Sequence, residues 1–279
     1  MGPPLRRLFG DAAAAATARA AAGWCLARLG ALEPADLDRL TNDSAPDIRE
    51  QAQRLVGSGL LPDHAEGMAR VHRGLADADP LVQRAAAVAA AALPPAVPPA
   101  EGVALAESLL DVISATPAAD VHLRHALRIA VRARLRDDAT LAAVAAAGRD
   151  ERRAGVLADV CLGLDSETAG DTIVAFLAGG GLAGNGPAER ERSAALVQHA
   201  AVHSSRAGLA RLADVVQDRL AVDLPFQVQL LETIRAALAR HGQRAAAPLR
   251  AWADAAARRL LRLDDAGTAY AWLAGGRSS

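Results

Sequence analysis

The sequence contains no lysine, so every basic side chain is an arginine. Chemistry that needs a Schiff-base amine or a phosphate-loop lysine is thereby excluded. Its two cysteines, Cys25 and Cys161, stand far apart with no Cys-x-x-Cys. Zinc ribbons, redox dithiols and covalently attached c-type haem are excluded on that count. Aromatic residues make up 3% of the chain, and Tyr270 is the only tyrosine. Nowhere do β-branched residues alternate over a strand length. No uninterrupted run of large apolar residues approaches the ~20 that a bilayer crossing requires. Nor is there an excess of one charge: 31 basic against 32 acidic residues leave a net of −1, so no global field draws the chain to nucleic acid or an anionic membrane.

What is present is alanine, with leucine, arginine and glutamate, the strong helix formers. The 279 residues are 52% hydrophobic, largely through alanine, and suffice for one large domain or two smaller ones. Breaks recur at Glu33-Pro34, Thr41–Pro46, Leu61-Pro62, Asp77–Pro80, Pro94–Pro99, Thr116-Pro117, Gly179–Pro187, Leu224-Pro225, His241-Gly242 and Asp264–Gly267. The intervening segments have the usual length of globular helices. An all-α fold follows. Residues 1–30 read as an amphipathic first helix with Trp24, Leu26 and Leu29 as its buried bulk. Asp11 and Arg19 interrupt the alanine run that a signal peptide would need intact.

Several segments repeat. Asp43-Ser44-Ala45-Pro46-Asp47-Ile48-Arg49 has a counterpart in Asp77-Ala78-Asp79-Pro80-Leu81-Val82-Gln83, and a looser third copy runs from Pro117 to Ala126. Aligning Ile48, Val82 and Leu123 gives spacings of 34 and 41 residues, in the range of helical repeats. Each shared residue has a mechanical role. Asp79 is placed to cap a helix, and Pro80 and Pro46 suit the first helical position. Ile48, Val82 and Leu123 start a buried stripe, and Ala52 and Ala86 let a neighbouring helix pack close.

These residues resemble the HEAT-repeat consensus, which implies a right-handed α-solenoid of antiparallel helix pairs. A longer resemblance rests on Gly23–Leu32, Asp43–Leu55, Asp120–Leu135, Leu157–Leu164, Gln229–Leu231 and Arg250–Trp252. Together they are similar to the helical middle region of PVC-type haem-binding, membrane-bound dehydrogenase proteins. In that family a β-propeller precedes the helical region and a c-type cytochrome domain follows it. This chain has neither propeller strands nor Cys-x-x-Cys-His, so the family's redox chemistry does not reside in these residues. The resemblance implies a non-catalytic scaffold or spacer and suggests export. Its partner would be a protein, or the flanking domains of the same polypeptide. The expected organisation is residues 1–178 as N-terminal repeats, 179–187 as a glycine-rich connector and 188–279 as C-terminal repeats, or else one continuous solenoid.

Candidate sites are few. On the helix predicted over Val121–Arg136, Arg124, Arg128, Arg132 and Arg136 form one stripe beside His122 and His125, with no carboxylate between Asp120 and Asp137. That stripe reads as a docking strip for an acidic protein surface or for phosphate, or as a solvated face whose arginines pair with carboxylates of neighbouring repeats. His199 and His203 stand four apart, a spacing that can share a metal, but no third ligand is identifiable and the glutamate of His-Glu-x-x-His is missing. Gly179–Gly186 has neither the preceding strand nor the following lysine of a phosphate loop. Cys25 and Cys161 read as small core residues on apolar helical faces. No Gly-x-Ser-x-Gly occurs. No catalytic, cofactor or metal residue is therefore expected. The enzymatic alternative, a HEAT-like alkylpurine DNA glycosylase, calls for a positive excess and exposed aromatics, which this composition lacks. Neither end reads as a polar cap, the last predicted helix, around Ala266–Leu273, still carrying Tyr270, Trp272 and Leu273.

Overall fold

The computed structural model describes residues 2–60, 64–94, 99–147, 150–182 and 186–264. They form α-helices throughout, with no strand among the described residues. The helix expected around Ala266–Leu273 lies outside them. Contacts divide the chain into two compact units, residues 1–156 and 157–279.

The first unit runs α1 (Gly2–Gly10), α2 (Ala16–Arg28), α3 (Pro34–Thr41), α4 (Pro46–Val56), α5 (His64–Leu75), α6 (Pro80–Ala92), α7 (Pro99–Ala115), α8 (Val121–Arg134) and α9 (Asp138–Ala146). Alternate helices pack side by side. α2 lies on α4, α4 on α6 and α6 on α8, while α3 touches α5, α5 touches α7 and α7 touches α9. The pairs α3–α4, α5–α6 and α7–α8 join the two rows. Ile48, Val82 and Leu123 are all buried, as are Ala52 and Ala86. α6 buries five alanines, so its neighbours approach its backbone closely. A Cβ on Gly57, at the end of α4, would lie 2.9 Å from the Ala89 Cα.

α10 (Glu151–Cys161) carries residues of both units. The second unit continues with α11 (Glu167–Phe176), a π-turn over Leu177–Gly181, α12 (Pro187–His203), α13 (Arg206–Arg219), α14 (Leu224–Arg240) and α15 (Ala247–Asp264). Here too α11 touches α13 and α13 touches α15, while α12 touches α14. Leu196, Phe226, Leu230 and Trp252 anchor its core, and the Trp252 indole N–H donates to Gln227 Oε1 at 3.1 Å.

Two readings change. The first thirty residues hold two helices, separated at Asp11–Ala15, and Leu29 is exposed because it follows the end of α2. Cys25 is exposed rather than buried, since it lies outside the arc of α2 that buries Ala22, Gly23, Leu26 and Ala27. The glycine-rich stretch does not coincide with the division between units. Leu177–Gly181 extends α11 and packs on α13, and Gly180 takes the left-handed φ of 116° that closes the turn.

Candidate interaction surface

Caps at the turns position α6 and α8. Asp79 accepts the Leu81 N–H at 2.8 Å with Pro80 at the first helical position, and Asp120 accepts the Leu123 N–H at 3.0 Å. The repeat-equivalent side chains Arg49, Gln83 and Arg124 perform one local task. Arg49 Nη1 donates to the Asp43 carbonyl at 2.9 Å, Gln83 Nε2 to the Asp77 carbonyl at 2.7 Å and Arg124 Nη1 to the Thr116 carbonyl at 2.9 Å. Each ties the start of its helix to the turn before it.

Between repeats, Arg49 also forks onto Asp77 through Nε and Nη2 at 2.7 and 2.9 Å. At Asp43, the equivalent aspartate one repeat earlier, Arg19 of α2 pairs through Nη1 and Nη2. Both aspartates at once hold the following turn, Asp43 accepting the Ala45 N–H and Asp77 the Asp79 N–H. The Arg49 hydrogen bond holds the Asp77 carboxyl below the usual carboxylate range, against burial. Sequence comparison of the repeats marked these positions without revealing that they bond across the junction.

The four-arginine stripe divides. Arg124 is half-buried and reaches the carbonyls of Ile113 and Thr116, so it holds the end of α7. Arg128 and Arg132 project from the outer face of α8 with His125, Val121 and Ile129. Arg136 lies beyond the helix, which stops at Arg134, and is exposed. Among the described residues Arg128, Arg132 and Arg136 make no ion pair, so no neighbouring carboxylate neutralises them. Arg134, outside the stripe, turns inward to cap α6 through the Leu93 carbonyl at 2.6 Å, and burial lowers its pKa. On adjacent α6, Leu81 is 48% and Val88 59% exposed, on either side of half-buried Arg84 in sequence. Adjacent helices thus present an apolar row and an unpaired arginine row.

The other candidates resolve individually. His199 and His203 stack with ring centroids 4.4 Å apart, and His241, from the end of α14, lies 5.9 Å from His203. Asp165 Oδ1 is 3.7 Å from His203 Nε2, and His199 Nε2–H donates to the Leu164 carbonyl at 3.1 Å. Burial first, then the His203 charge, pushes the His199 pKa down. Among the described residues no group of three or more His, Cys, Asp or Glu side chains has an arrangement able to hold a metal. His241 is far from the pair in sequence, and only the packing of α14 on α12 brings it near. Cys161 is buried, its thiol pushed up to about 12 by desolvation, and unreactive for that reason. Among the described residues no helix is long and apolar enough to cross a membrane.

No protein-family model matches the sequence, and no curated protein does. The chain is similar to a crystal structure of an engineered protein at 15% identity, over 90% of this chain and 97% of that one, with a TM-score of 0.37.

Proposed function

We propose that the chain is a non-catalytic, HEAT-like interaction module whose helix pairs stack as a right-handed α-solenoid within each unit, and that the outer face of α6 and α8 takes an acidic, amphipathic segment of a protein partner. The observation that carries this reading is the pairing of unneutralised Arg128 and Arg132 with exposed Leu81, Val88 and Ile129 on neighbouring helices. Desolvating apolar anchors supplies affinity, and complementary charge supplies orientation and rate. The Arg–Asp junctions support the stacking, because Asp43 and Asp77, equivalent in the repeat, each take an arginine from the helix two places before the one they precede. By the resemblance to PVC-type proteins, propeller and cytochrome modules of a dehydrogenase are one source of such a partner.

Fluorescence anisotropy with a labelled leucine- and glutamate-rich helical peptide tests the proposal. Micromolar binding is expected, weakened about tenfold or more by Arg128→Glu with Arg132→Glu, and similarly by Leu81→Ser with Val88→Ser. Binding that neither pair of substitutions alters would overturn it. Equal affinity for a duplex DNA of the same charge would also count against it and favour the nucleic-acid reading.

A further inference from the structure

The Arg–Asp junctions of the first unit are not carried on to α6 and α8. Asp43 and Asp77 stand five residues before Ile48 and Val82, and they take Arg19 of α2 and Arg49 of α4. The position five residues before Leu123 is Ala118, and Gln83 of α6 stands where Arg49 does. Gln83 Nε2 donates to the Asp77 carbonyl at 2.7 Å, as Arg49 Nη1 does to Asp43, but glutamine has no second arm for the next turn. That turn is closed by backbone, the Asp120 N–H donating to the Pro117 carbonyl at 3.1 Å. In the two earlier turns an aspartate side chain accepts the N–H two residues on.

A cleft of about 290 Å3 lies at this junction. Pro80 and Gln83 line it from the start of α6, Val112 and Thr116 from the end of α7, and Asp120 and Leu123 from the start of α8. Its polar groups are chiefly acceptors. The Thr116 hydroxyl donates its proton to the Val112 carbonyl at 2.7 Å, and Gln83 Oε1 accepts no hydrogen bond among the described residues. One Asp120 oxygen accepts the Leu123 N–H at 3.0 Å, which leaves the other. No basic side chain is among the lining residues. A carboxylate and an amide oxygen with no cation beside them suit a guanidinium, whose forked N–H groups can serve both at once.

We propose that this cleft takes the arginine side chain of a protein partner, whose guanidinium supplies between α6 and α8 the contact that Arg19 and Arg49 supply at the two preceding junctions. The site shares no residue with the Arg128–Arg132 row and does not depend on binding there.

Titration of the full-length chain with acetyl-arginine methylamide, followed by NMR, tests this. Saturable shifts are expected at residues 80–83 and 116–123, with a dissociation constant on the order of 1–10 mM. Acetyl-lysine methylamide should bind about fivefold or more weakly, and the uncharged citrulline analogue not measurably. Asp120→Asn retains a helix-capping side chain and should weaken arginine binding about fivefold or more. Gln83→Arg with Ala118→Asp should abolish binding by building the junction within the chain, and circular dichroism checks that both variants are folded. The absence of saturable shifts at these residues, equal affinity for the lysine analogue, or undiminished binding in either folded variant would overturn the proposal. So would tighter binding of free arginine than of the blocked form, which would make the cleft a metabolite site. A dimer that acetyl-arginine methylamide dissociates would also overturn it, assigning the cleft to a second copy of the chain.

Discussion

At the scale of single residues, side chains of one type take opposite roles according to where the neighbouring helix ends fall. Arg124 and Arg134 spend their hydrogen bonds on carbonyls at the ends of α7 and α6, while Arg128 and Arg132 are left to solvent. The stripe was legible in the sequence, because helical periodicity places residues four apart on one side. Its division was not, since it depends on which carbonyls α7 presents at Ile113 and Thr116. His199 leads to a prediction at this scale. It sits among His203, His241 and Asp165 with its ring against the Leu164 carbonyl, and burial holds its pKa below 6.5 in the folded chain. In the unfolded chain it titrates near its ordinary value, so between the two the unfolded state binds more protons and stability rises with pH. His72, also depressed by burial, acts in the same direction. The melting temperature should therefore fall as pH drops below about 6.5, and His199→Gln should flatten that fall. A melting temperature independent of pH from 7.5 to 5.5 would contradict this sign.

At the scale of elements, helix starts marked by Asp or Ser with proline were readable, and Asp79-Pro80 caps α6 as its sequence implies. Starts marked by a cap alone, at Asp137, Ser166 and Ser205, carry no distinguishing signal in the sequence, although each side chain accepts the expected backbone N–H. Without proline or a glycine cluster, such residues look like any polar position on an alanine-rich helix. Helix–helix approach is less legible still, as two glycines show. A Cβ on Gly170, in α11, would lie 2.5 Å from the Ser204 N and 2.8 Å from the His203 C, both backbone atoms that cannot move without shifting the end of α12. Gly67, in α5, meets nothing nearer than the Val56 Cγ1 at 3.5 Å, an ordinary contact. Gly170→Ala should cost about 1–3 kcal/mol by overpacking. Gly67→Ala should instead stabilise by roughly 0.5–1 kcal/mol, through reduced freedom of the unfolded chain and better helix propensity. Urea titrations of the two variants decide the matter, and equal shifts in the same direction would refute the distinction.

At the scale of the molecule, the residues that signalled a boundary were the glycines after α11, yet Leu177–Gly181 packs within the second unit and the division falls at Val156–Leu157 inside α10. A glycine run reports backbone freedom, and here that freedom closes a wide turn instead of separating two bodies. Contacts fall between the helices of a pair and between each helix and the one two places on, and if such packing is solenoid-like, each unit's stability is a sum over neighbours. Ile48 tests that property. It is fully buried in α4, whose contacts are with α2, α3, α5 and α6. Ile48→Ala should cost about 2–5 kcal/mol through the cavity it leaves. If neighbour terms dominate, hydrogen exchange should rise by orders of magnitude in those helices and much less in α9, which packs on α7 at the far end of the same unit. An equal rise in every helix would mean that the chain opens as one cooperative body, and the neighbour-by-neighbour account of its stability would then be wrong.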